Sequence, residues 1–163
     1  MDKNLYTLLP FGRTLAVLTK SYYGALTNRL AHLDIDRHYS ILILIESMDG
    51  GCTQHYLCEQ LKIDKVSMVR MIQYLIEKKY IHKVVNPHDK REHLLQLSKK
   101  ANKVLPQIHQ AIREMNEATF ATLSTQKQQA LCQMLTTIQT NLDELPTDRI
   151  YINYKKLKKN NEA

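Results

Sequence analysis

The sequence predicts a mainly α-helical chain with a small β-wing, and three observations lead there. Apolar residues recur at three- and four-residue steps through most of the chain, the period of a helix that buries one face. Between Ile81 and Leu97 the pattern changes to short β-branched and apolar runs around the turn sequence Asn86-Pro87-His88-Asp89. Just before that hairpin stand a short helix, a tight turn and a longer helix, the order of a winged helix-turn-helix domain.

Taken in order, Phe11, Leu15, Leu18, Tyr22, Leu26, Leu30 and Leu33 predict an amphipathic helix over about residues 8–33, following Pro10. Asp34 or Asp36 is placed to cap a second helix containing Ile41–Ile45; that run alone reads equally as a strand, and its context makes it helical. Gly50 and Gly51 are expected to end it. Thr53 then caps a short helix with Tyr56, Leu57 and Leu61 inward, and Lys62-Ile63 turns the chain into Asp64. Asp64 caps the next helix, whose inner face is expected to carry Val66, Val69, Ile72, Leu75 and Ile76. Strands follow at Ile81–Val85 and Leu94–Leu97.

Ser98 caps a long helix with Ala101, Val104, Leu105, Ile108, Ile112 and Met115 inward, and Pro106 should kink it by removing the hydrogen bond to the Asn102 carbonyl. A last helix starts near Ser124 or Thr125, with Gln128 set for a capping box, and its apolar stripe from Leu131 to Leu145 ends near Pro146. The expected organisation is one domain over residues 1–146, with the reader at about 36–98 and dimerisation helices at about 8–33 and 99–145. Residues 147–163 form a basic tail, which either meets phosphates or is solvated. Both terminal helices lie far from the reader in sequence, so the economical assignment pairs them with a second copy in a symmetric homodimer.

Charge points to the partner. The 163-residue chain carries a formal +7, and between Lys62 and Arg91 eight basic residues face three acidic ones. An excess concentrated on one motif suits double-stranded DNA phosphates better than scattered lysines would. Lys90 and Arg91 stand at the hairpin tip. No apolar run approaches the roughly 18–20 residues of a membrane span, and the start of the sequence lacks a signal-peptide core, so the expectation is no membrane and a cytoplasmic location. Cys52, Cys58 and Cys132 are odd in number and show no CxxC pattern, which argues for reduced thiols. With no glycine-rich phosphate loop, nucleophile elbow or supported carboxylate pair, and no recognised His or Cys metal spacing, the sequence predicts no enzyme, no metal and no cofactor.

The string IHKVVNPHDKREHLLQLS closely resembles the wing of the MarR family of bacterial transcriptional regulators, and the resemblance extends over about residues 10–145. Asp89 and Arg91 occupy the family's Asp-x-Arg, and Leu97-Ser98 corresponds to its Leu-Thr. The resemblance implies that Arg91 enters the minor groove while Asp89 supports the wing. It also implies that Lys65, Ser67, Met68, Arg70 and Gln73 present the recognition helix to DNA. One departure is Lys79, where the family usually has glycine: lysine there must take a left-handed conformation or the turn must differ.

The family implies a homodimeric repressor on a pseudo-palindromic operator, released by a small, often phenolic effector bound between reader and dimerisation helices. Tyr22, Tyr23, His38 and Tyr39 are candidates to line that pocket, or they pack in the core. Two other readings stay open: a thiol-based redox sensor using Cys52 or Cys132, with Cys52 expected to be exposed after the glycines, and a protein-interaction module without a DNA site.

Overall fold

The computed structural model describes residues 10–87 and 89–146. Their order is α1 (Phe11–Arg29), α2 (Tyr39–Glu46), β1 (Cys52–Thr53), α3 (Gln54–Leu61), α4 (Lys65–Glu77), β2 (Ile81–Val85), β3 (His93–Leu97), α5 (Lys99–Phe120) and α6 (Thr125–Asp143). The basic tail, and the part of the first predicted helix before Pro10, lie outside the described residues.

Side-chain caps fix where the helices of the reader begin. Thr53 Oγ1 accepts from the Tyr56 N–H at 3.2 Å and Asp64 Oδ1 from the Ser67 N–H at 2.9 Å. Ser98 Oγ accepts from the N–H groups of Lys100 and Ala101 at 3.1 and 3.2 Å. Each satisfies amides that the first helical turn leaves without partners. Ser124 caps α6; the expected Thr125–Gln128 box does not form, because Gln128 Nε2 donates to the Leu123 carbonyl at 2.9 Å.

Several boundaries differ from the sequence expectation. α1 ends at Arg29 and a turn-rich connection leads to Tyr39. Neither Asp34 nor Asp36 caps α2, whose N-terminus has no side-chain cap. Asp34 instead pairs with Lys78 Nζ at 2.8 Å and accepts from the Tyr74 hydroxyl at 3.2 Å, while Asp36 takes a left-handed φ of 48°. α2 stops at Glu46, ahead of the glycines. Gly50 and Gly51, with φ of 81° and 98°, make the turn into β1. At Gly51 the approach is close as well, since a Cβ would run into the Leu95 carbonyl.

The three strands form an antiparallel sheet in the order β1-β3-β2. Cys52 pairs with Leu95, and β2 pairs with β3 from Ile81–Leu97 to Val85–His93. β3 thus begins one residue earlier than expected. Leu95 turns into a continuous core with Leu26 and Leu30, Ile41, Leu42 and Ile45 of α2, Leu57 of α3, and Leu105 and Ile108 of α5. Each such side chain contributes about 1.5–3 kcal/mol relative to exposure. α1 lies along α5, with Arg29 Nη1 to Glu114 Oε2 at 2.9 Å and Tyr22 to Asn116 at 2.8 Å. α5 continues through Pro106 to Phe120. α6 differs in kind: none of its residues is buried within this chain. No helix among the described residues is long and apolar enough to cross a membrane.

Candidate nucleic-acid interface

Two elements carry the candidate residues, and each is held from below. α4 buries Met68, Ile72 and Leu75, positions four and three residues apart that fall on one side of a helix. The opposite side must then face outward, and it carries Val66, Arg70, Gln73 and Glu77, with Val69 on its flank. Arg70 and Lys65 are exposed, and no carboxylate among the described residues pairs with either. Gln73 is exposed too, its amide donating to Glu77 Oε1 at 2.9 Å. Ser67 is half-buried beside Asp64. Its hydroxyl, and then its backbone N–H, hold the Asp64 carboxyl below the usual carboxylate range.

Met68 corrects the sequence expectation. It is completely buried, so its thioether packs the core and presents nothing to a groove. Val66 and Val69, expected inside, are 62% and 46% exposed. Met68, Ile72 and Leu75 recur at three- and four-residue steps, and so do Val66, Val69, Ile72 and Ile76. The larger Met68 side chain, at i−4 to Ile72 and i−7 to Leu75, is the signal that separates them.

The wing is closed by Asp89. Its Oδ1 accepts from the Arg91 N–H at 2.9 Å, its carbonyl accepts from the Glu92 N–H at 3.0 Å, and the Glu92 carbonyl accepts from the Asn86 N–H at 3.1 Å. This Asx turn leaves Lys90 and Arg91 exposed at the tip, with no carboxylate partner among the described residues.

Between helix and wing, Lys79 takes the left-handed conformation, φ 60°. Around it the Tyr80 N–H reaches the Leu75 carbonyl at 2.9 Å and the Lys79 N–H reaches that of Ile76 at 2.9 Å, the two bonds of a Schellman ending. Ser98 Oγ donates to the Lys79 carbonyl at 2.7 Å. Lys100 Nζ donates to the Lys78 carbonyl at 2.9 Å and sits 3.9 Å above the Tyr80 ring. The turn is therefore tied to the start of α5 as well as to α4. Sequence reading did not foresee this brace or the Asp34–Lys78 pair, because both join residues distant in the chain.

The aromatic candidates separate into two groups. Tyr22 and Tyr23 meet edge to face at 5.7 Å. Tyr39, only 3% exposed, lies near both, and burial pushes its phenol far above its ordinary range. His38 instead stands edge-on to Tyr74 of α4 at 5.1 Å, with burial favouring its neutral form. An open hollow lined by Ile45, Met48, Gly51, Gln96 and Asn102 lies elsewhere, and none of the four lines it.

Cys52 is buried on β1, and burial pushes its thiol up to about 11. The expected exposed thiol after Gly51 is thus replaced by a sheet residue with little thiolate character. Cys132 is exposed on α6.

Residues 35–92 match the family model for the MarR family. Among solved structures, a cysteine-to-serine variant of MarR from E. coli complexed with operator DNA is 22% identical, covering 84% of this chain and 99% of that one with a TM-score of 0.74. A MarR family transcriptional regulator from Listeria monocytogenes complexed with 26mer DNA is 20% identical, covering 82% and 89% with a TM-score of 0.74. The transcriptional regulator SlyA is 20% identical, covering 83% and 96% with a TM-score of 0.76. Residues 35–92 thus match the MarR family model, and the described residues share the winged-helix fold of these solved regulators.

Proposed function

We propose that this chain is a sequence-specific DNA-binding repressor, working as a homodimer on a pseudo-palindromic operator. The observation that carries the reading is the set of exposed cations without carboxylate partners among the described residues: Lys65 and Arg70 on α4, Lys90 and Arg91 on a tip braced by Asp89. In this assignment the N-terminal half of α4 lies in the major groove, where Arg70 reads base edges. Arg91 enters the minor groove, whose negative potential favours a guanidinium. Lys65 and Lys90 neutralise phosphates, and Ser67 and Gln73 supply hydrogen bonds at the edge of the contact.

The apolar residues left exposed on α1 and α6 support the dimer, and two copies would set their readers about one DNA turn apart, roughly 10 base pairs. A small phenolic effector would enter beside Tyr22, Tyr23 and Tyr39, where α1 meets α2, and release DNA by displacing the reader from the dimerisation helices.

Operator binding by Arg91→Ala and Arg70→Ala at fixed salt tests the reading. Arg91→Ala is expected to weaken binding and remove its dependence on a narrow minor groove, while Arg70→Ala relaxes preference at one position by about 1–3 kcal/mol. Unchanged affinity and preference in both variants would end the assignment.

A further inference from the structure

Val66 and Val69 are the feature that the cationic reading of α4 leaves unused. They are exposed on the side of the helix that also carries Arg70, while the buried side is already filled by Met68, Ile72 and Leu75. Their isopropyl groups therefore add nothing to the core of this chain. Nor does helix formation ask for them, because β-branched residues rank below alanine, lysine or glutamine at exposed helical positions. Two apolar groups on successive turns, flanked by the unpaired charges of Lys65 and Arg70, need a partner surface that is anionic and yet offers apolar points.

The major groove of DNA has that composition. Phosphates line its rims, and the thymine C5 methyl is the apolar group that projects from its floor. Phosphate contacts alone would bind every sequence alike, and a thymine is marked in the groove by its methyl. We infer that Val66 and Val69 are specificity-determining residues that read thymine methyl groups in the major groove, next to the base contacted by Arg70. The inference rests on the DNA-reading function proposed above and adds what the helix selects.

The test starts from a random pool of duplexes, from which the full chain selects its preferred sequence. Each thymine of that sequence is then replaced singly by deoxyuridine, which removes the C5 methyl and keeps every hydrogen-bonding group. At one or two thymines per half-site, binding by the unaltered chain is expected to fall about fourfold, the value of one methyl-sized group removed from water. Val66→Ala or Val69→Ala should bind the thymine duplex more weakly and be indifferent to the same replacement. Val66→Asn and Val69→Asn, which put a polar amide in place of the branched methyl groups, should lose the same discrimination, and thermal melting confirms that all four variants fold.

An equal deoxyuridine penalty in the unaltered chain and in the variants overturns the inference, as does a selected sequence in which no thymine methyl matters. If selection enriches no sequence at all, the DNA-reading function falls and the methyl reading with it. An enriched sequence insensitive to deoxyuridine removes the methyl reading alone.

Discussion

Lys79 shows how much a single backbone position carries. Its φ of 60° lets α4 end in two hydrogen bonds and turn directly into β2, yet a side chain in that conformation costs roughly 1–2 kcal/mol. The Ser98 hydroxyl on its carbonyl and the lysine brace at Lys78 hold it there. Lys79→Gly removes the steric cost but enlarges the freedom of the unfolded chain, so the expected gain is about 0.5–1 kcal/mol. Urea denaturation at one protein concentration measures it, and a loss of stability would show that the lysine side chain contributes more than its backbone costs. The conflict itself was legible in sequence, because lysine at the junction of a helix and a wing forces either strain or a different turn. Which alternative holds depends on Ser98 and Lys100, far along the chain, and so was not.

At the scale of the element, α4 has two faces that are easily exchanged on paper. Its start at Asp64 was readable, since a capping carboxylate before a periodic run has few other uses. Its rotation was not, because both stripes are apolar at three- and four-residue spacing, and only packing against the rest of the chain decides between them. The same reasoning covers β1, whose two residues have no period to read, and Asp34, drawn from a capping role by Lys78 and Tyr74. The wing was clearest, its strands matching the expectation within one residue, because a turn sequence between two alternating runs is a local signal. The rotation gives a prediction: Met68→Ala should cost about 2–5 kcal/mol of stability by opening a cavity. The folded variant should keep its preference among DNA sequences, because the side chain lies behind the reading face. Thermal melts and duplex selection check the two halves, and a stability change below about 0.5 kcal/mol, the range of surface substitutions, would place Met68 outside the core.

For the whole molecule, the uneven distribution of burial matters most. The reader closes a core together with Leu26, Leu30, Leu105 and Ile108, while α6 leaves Met134, Leu135 and Leu142 between 43% and 56% exposed, and α1 leaves Val17 and Leu18 at 56% and 61%. On α6 Leu131, Met134, Leu135, Ile138 and Leu142 form one stripe at helical spacing, an apolar surface that a solitary helix keeps out of water only by pairing. A second copy is the occupant proposed here, since it covers both terminal helices with one isologous contact. Leu135→Glu then places a charge in the middle of that contact. In a chain that stayed single, this change at an exposed position would shift stability by no more than about 0.5 kcal/mol. In the dimer it should give a monomer by sedimentation and cut affinity for a two-half-site operator by about 100-fold or more, because the second reader is no longer held near its site. Binding to an isolated half-site should change little, which separates lost pairing from a damaged reader. A Leu135→Glu chain that still sediments as a dimer would move the interface off α6.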